Sequence, residues 1–154
     1  MKKEIKKIKI NKINFIKKYY IPSSHKLRSW ITCSLVRIFS AEITLIMAGK
    51  QRIKSINQKY LNQNKPTNVL SFNNSLEINE ENMIGDIILC PEIIYKESRQ
   101  YCISADMRWA HMIVHSMLHL QGYDHKIKSQ RSEMEKKEIN LLHKMNFSNP
   151  YVSN

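Results

Sequence analysis

Four of the six histidines fall between His111 and His125, in the stretch HMIVHSMLHLQGYDH. On a helix rising about 1.5 Å per residue, His115 and His119 are neighbours on one face, so both imidazoles can reach a single ion. His111 shares that stripe, but about 12 Å of axial rise separates it from His119, too far for bonds of roughly 2 Å to one tetrahedral centre. A straight helix therefore supplies two ligands only, and the third must come from where the chain turns back. Gly122 permits the turn, because glycine accepts the left-handed conformation that commonly ends a helix. His125 then swings back over the ion. Alone on a helix, His111 reads as a core histidine hydrogen-bonded to a carbonyl.

Three neutral imidazoles leave a divalent ion its full charge and a fourth position for water, the arrangement of catalytic rather than closed structural sites. Zinc (Zn2+, one ion) fits best; nickel, copper or iron would also accept imidazoles. Such an ion lowers the pKa of its bound water to about 7, which suits hydrolysis. No glutamate or further histidine is spaced to act as base, so the metal-bound water is the only catalytic group expected beyond His115, His119 and His125. Asp124 either takes the second N–H of a ligand histidine or simply forms the turn. The two-histidine helix of zinc metallopeptidases has a glutamate base after its first histidine, and Ser116 stands there instead.

Around these histidines, Met107, Trp109, Met112, Ile113, Val114, Met117, Leu118 and Leu120 cover nearly the whole helix circumference, which predicts a buried central helix. Ser104 and Asp106 are its capping and first-turn residues. Upstream, lysines alternate with Ile5, Ile8, Ile10, Ile13 and Ile16, predicting a basic first strand at a sheet edge. Pro22, Ser23 and Ser24 open a helix running through Leu27, Trp30, Ile31, Leu35 and Ile38. A strand over 42–48 is closed by Gly49, and a helix follows to Tyr60. Pro66 blocks helix, so 65–72 is extended, with Val69 and Ser71 on one face. Another strand spans 84–90, and Pro91 begins a helix to about Cys102. A last helix starts at Ser129 or Ser132, with glutamates in its first turns and Met134, Leu141, Leu142 and Met145 inward. Glu138 falls on that inner stripe, either bonding a ligand histidine or pairing with a lysine. Strands and helices without strict alternation give an α+β fold.

With 154 residues and 42% apolar content, one domain over 1–154 is expected. No run of about 18 apolar residues and no signal-peptide pattern occurs, predicting no membrane span and a cytoplasmic protein. Cys33, Cys90 and Cys102 read as reduced, buried thiols, and the polar stretch 73–82 is the loosest region. The formal charge of +12 suits a polyanionic partner such as nucleic acid, although abundant lysine, isoleucine and asparagine also reflect A+T-rich codon usage.

The run His115-Ser-Met-Leu-His119-Leu-Gln-Gly-Tyr-Asp-His125 resembles the YbeY family of bacterial endoribonucleases and ribosomal RNA maturation factors, whose pattern is His, three residues, His, then Leu-x-Gly-Tyr-Asp-His. Lys65-Pro-Thr-Asn-Val-Leu-Ser-Phe72, Gly85-Asp-Ile-Ile-Leu-Cys90 and Asn149-Pro-Tyr151 extend the resemblance over roughly 40–151. It implies a small mixed β-sheet with surrounding helices and a buried central metal-binding helix, zincin-like, with His115, His119 and His125 holding zinc in a basic cleft. The activity implied is cleavage of single-stranded RNA in ribosomal RNA processing, chiefly at the small-subunit 16S RNA 3′ end, and in ribosome quality control. The ribosomal small subunit is then a partner. Lys65 and Ser71 are candidate substrate contacts. The family arginine that follows an Asn-x-x-Tyr is missing: Asn57-Gln-Lys-Tyr60 runs into Leu61, which cannot hold a phosphate oxygen. Arg52, Lys59 or Lys65 could substitute. A non-catalytic RNA-binding assembly factor with structural zinc is the competing reading, and a zinc metallopeptidase the third.

Overall fold

A computed structural model describes residues 6–38, 40–75 and 82–152. The elements in chain order are β1 (Lys7–Asn14), α1 (Ser24–Ser34), β2 (Ser40–Met47), α2 (Lys50–Leu61), β3 (Val69–Asn73), β4 (Met83–Leu89), α3 (Pro91–Gln100), α4 (Ala105–Leu120) and α5 (Lys128–Lys144). The sheet order is β1-β2-β4-β3. β1 and β4 pair parallel to β2, and β3 pairs antiparallel to β4, so the α+β fold with a small mixed sheet is observed. Ala41, Ile43, Leu45 and Met47 of β2 alternate into the core, as a period of two requires. β1, rich in lysine, lies at one edge as expected, and β3 forms the other. Of the polar stretch 73–82, residues 76–81 lie outside the described residues.

The metal-binding candidate helix α4 is central. It packs against α1, α3, α5, β3 and β4, and eleven of its residues are buried, including Trp109, Ile113, Val114, Met117 and Leu118. Ser104 caps it by accepting the Met107 N–H at 3.0 Å, and Asp106 sits in its first turn. Its last turn is seated on the sheet at Gly85: a Cβ there would lie 2.9 Å from one methyl of Leu120 and 3.1 Å from the other. The absence of a side chain at this point of β4 lets the segment bearing His119 approach the strand closely.

Three expectations need correction. α1 stops at Ser34 rather than continuing through Ile38, because the buried Gln121 side chain accepts the backbone N–H groups of Val36 and Arg37 and draws the chain away from helical geometry. α5 begins at Lys128, one to four residues earlier than predicted, with Ile127 at its cap and no acidic residue in its first turn. Cys102 is exposed rather than buried, placed by a left-handed backbone (φ 54°) just after α3, while Cys90 is buried, Cys33 half-buried, and all three are free.

Candidate metal centre

The end of α4 shows how the sequence turns the chain. The Tyr123 N–H donates to the Leu118 carbonyl at 3.0 Å and the Gly122 N–H to that of His119 at 3.0 Å, while Gly122 adopts φ +95°. This pair of bonds around a left-handed glycine is a Schellman motif. It brings His125 back over α4, so that the ring centroids of His119 lie 4.7 Å from both His115 and His125, and those of His115 and His125 are 5.5 Å apart. One nitrogen from each ring lies within 4.8 Å of the others. We expect Gly122→Ala to cost about 1–2 kcal/mol, the penalty of a left-handed L-residue, and to weaken metal binding as well, checked by urea unfolding and zinc titration. Unchanged zinc affinity would mean that the turn does not set the position of His125.

The donor set suits a borderline divalent ion. Burial, followed by the neighbouring imidazoles of His115 and His125, lowers the His119 pKa from 6.5 to about 4, so its lone pair is free at neutral pH. His115 directs Nδ1 at Glu138 Oε1 over 2.6 Å. An ionised carboxylate only accepts, so the proton sits on Nδ1 and the Nε2 lone pair faces the other histidines. Three imidazoles from one helix and one turn, with no fourth protein ligand among the described residues, match an open site.

Glu138 is the residue whose partner sequence spacing left undecided. It is buried, with no lysine partner among the described residues, and ties the site together. Its Oε2 takes the His111 Nε2–H at 3.2 Å and the Tyr151 hydroxyl proton. Burial opposes its ionisation, but the hydrogen bonds from His111 and His115 outweigh this and hold it well below the usual carboxylate range. Burial and the bond to Glu138 push the Tyr151 phenol far above its usual range. His111 is thus bonded to a carboxylate rather than a carbonyl, and its Nδ1 accepts from Arg108 at 3.2 Å. Arg108 also engages Glu97 at 3.3 Å, and Glu97 accepts from Asn68 at 3.0 Å. An unbroken polar chain therefore links His115 to the segment before β3.

Asp124 plays a turn role: its carboxylate accepts the His125 backbone N–H at 2.7 Å, which keeps its pKa low. Ser71 lines a cavity of about 460 Å³ together with His115, His119 and His125, and Leu61 forms part of its wall. Lys65 is exposed and outside that cavity; its carbonyl accepts from Asn57 at 2.9 Å. Arg52 stacks on Phe15, 4.0 Å from the ring centroid, and Lys59 lies 5.3 Å from that of Tyr60. Where a metallopeptidase would place its glutamate, the Ser116 hydroxyl is buried without a partner among the described residues and supplies no base.

Residues 4–146 match the family described as Endoribonuclease YbeY. The chain belongs to the YbeY family. A YbeY endoribonuclease of Buchnera aphidicola subsp. Schizaphis graminum is 41% identical over 133 residues, 85% of this chain and 84% of that protein. Another, from Wigglesworthia glossinidia brevipalpis, is 38% identical over 133 residues, 84% of this chain and 88% of that one. The solution structure of a Thermotoga maritima protein shares the fold, with TM-score 0.52 and 22% identity, over 94% of this chain and 99% of that one. The YbeY match contains the whole histidine trio and Glu138, and ends before Tyr151. Among the described residues, no helix is long and apolar enough to cross a membrane.

Proposed function

We propose that this chain acts as one domain over 1–154, a zinc-dependent endoribonuclease that cuts single-stranded RNA, with His115, His119 and His125 as the ligands. The observation that carries this reading is the convergence of the three imidazoles on a cavity of about 460 Å³ lined by Val69, Ser71 and Asn73 of β3. The family name of the relatives supports the reaction class. When bound, the ion supplies Lewis acidity toward phosphate oxygens and activates water near neutral pH. The chain's own residues do the rest: Glu138 fixes the His115 ring, Tyr151 and His111 fix Glu138, and Ser71 offers a hydroxyl to the substrate. The net charge of +12 draws the polyanion in. The substrate we propose is ribosomal RNA, processed at the 3′ end of the small-subunit RNA on or near that subunit in the cytoplasm.

Chelation should abolish cleavage of a single-stranded RNA, and zinc should restore it. Products ending in a cyclic phosphate would assign the attack to the substrate's 2′-OH; a cleaved 2′-deoxy substrate would assign it to water. Cleavage that persists without metal would overturn the reading.

A second reading, an RNA-binding ribosome assembly factor that does not cut, is favoured by one observation. Leu61 stands in the cavity wall where a phosphate-binding arginine would reach the substrate. Under it, zinc-loaded protein binds RNA without cutting it, and Leu61→Arg raises cleavage from background. Equal cleavage by parent and Leu61→Arg would show that this position is dispensable.

A further inference from the structure

Three cavities adjoin one another at the histidines, each outer one sharing lining residues with the central one. The central one, about 460 Å³, is walled by Val69, Ser71 and Asn73 of β3. A second, about 620 Å³, shares Asn73, His119 and Leu120 with it and continues past Ser75 to Gly122 and Arg37. A third, about 690 Å³, begins at Asn68 and His115 and leads to Arg108 and Tyr151. Together they make a groove beside the edge strand from residue 68 to residue 75, with the histidine trio in its middle. A groove that continues on both sides of the reactive centre suits an internal position in a strand, as an endonuclease requires.

The two ends of the groove carry different arginines. Arg108 is engaged: Glu97 and His111 occupy its guanidinium, and only about an eighth of its side chain is exposed (12%). Arg37 is exposed and has no ion pair or side-chain hydrogen bond among the described residues. Its guanidinium carbon lies 4.0 Å from the Tyr123 ring centroid. Stacking on a ring leaves the planar N–H fork free to grip a phosphate.

Arg37 is also held in place. Gln121, buried at the C-terminus of α4, accepts the Val36 and Arg37 backbone N–H groups at 2.9 and 3.0 Å. Its amide donates to the carbonyls of Ser34 at 2.7 Å and Met117 at 2.9 Å. All of its polar capacity thus goes into fastening the Arg37 segment to the helix end that carries His119. An arginine fastened in this way loses less entropy on gripping its ligand than one on a loose loop.

We propose that Arg37, stacked on Tyr123 and anchored by Gln121 beside His119, binds the phosphate of a nucleotide flanking the scissile position, on the Gly122 side of an RNA strand lying along β3. This rests on the endoribonuclease reading and gives the groove a cation that Leu61 does not supply.

The test compares zinc-loaded parent, Arg37→Ala, Arg37→Lys and Lys12→Ala, the last removing an equal charge from β1 at the opposite edge of the sheet. Binding of a short fluorescein-labelled single-stranded RNA is read by anisotropy across a salt series, and cleavage and zinc content are measured in parallel. Arg37→Ala should weaken binding about tenfold, the loss of one charge-assisted hydrogen-bond pair, and flatten the salt slope by about 0.7, one phosphate contact to a single strand. Arg37→Lys should recover part of the affinity, Lys12→Ala should change it less than twofold, and zinc content should stay constant. If Arg37→Ala behaves like Lys12→Ala while the parent cleaves, the Arg37 proposal fails and the nuclease stands. If Arg37→Ala weakens binding but no protein cleaves, the strand path stands and the nuclease reading fails. If the parent neither binds nor cleaves, both are overturned.

Discussion

His119→Ala is expected to eliminate zinc binding and RNA cleavage together while leaving the protein folded. His119 is the middle of the three proposed ligands, with its ring 4.7 Å from each of the other two, so its loss leaves His115 and His125 with the longest separation in the trio, 5.5 Å. Two imidazoles, one of them on an exposed turn, do not hold zinc in competition with a chelator. The loss in cleavage should exceed the 10–100-fold that removal of a residue supporting a ligand typically produces. The fold should survive, because Met117, Leu118 and Leu120 keep the last turn of α4 in the core. Acid sensitivity gives a second check. The His119 pKa is depressed on folding, from 6.5 to about 4, so the unfolded chain binds the extra proton first and the metal-free protein loses stability as pH falls through that window. His119→Ala should remove this part of the acid sensitivity. Zinc content, circular dichroism and cleavage decide the case: a variant that keeps one tightly bound zinc and full activity would show that the trio is not the site.

Glu138→Gln should weaken zinc binding about 10–100-fold, the usual cost of losing the partner that orients a ligand histidine, with a smaller change in stability. The amide retains the shape and one acceptor, but it cannot accept from His115, His111 and Tyr151 as the carboxylate does. Glu138→Ala is a harsher change. It leaves three donors facing a cavity and should cost about 3–5 kcal/mol, the range for removing one partner of a buried charged network. Tyr151→Phe removes one donor and should fall between parent and Glu138→Gln in zinc affinity. Competition with a chromogenic chelator reads the affinities, and urea unfolding of the metal-free proteins reads stability. Parental zinc affinity in Glu138→Gln, whatever its stability, would reduce Glu138 to a purely structural residue.

Both outcomes bear on what the amino-acid sequence discloses. The His115, His119 and His125 grouping is legible because helical rise and one glycine dictate it locally, and the Schellman bonds at Gly122 follow from the same residues. The apolar wrapping of α4 likewise announces its central place. The role of Glu138 is less legible because its histidine partners are 23 and 27 residues away on another helix. Its place on the inner stripe of α5 is periodic information; which polar group waits opposite is tertiary information. The end of α1 is similar. Nothing in its own residues forbids continuing to Ile38, and the side chain that stops it, Gln121, is 85 residues beyond Val36. Asp124 shows the reverse: its turn role is local, one residue from the N–H it accepts.

The turn after α4 has one more consequence. Two of the proposed ligands ride on a buried helix, while the third sits on an exposed connection that leads into α5, alongside Lys126, whose side chain is 84% exposed. An ion held by all three would act as a staple between helix and connection, withdrawing the backbone around Lys126 from any protease that must bind it extended. Limited trypsin digestion should therefore nick the metal-free protein at this connection and spare the zinc-loaded one.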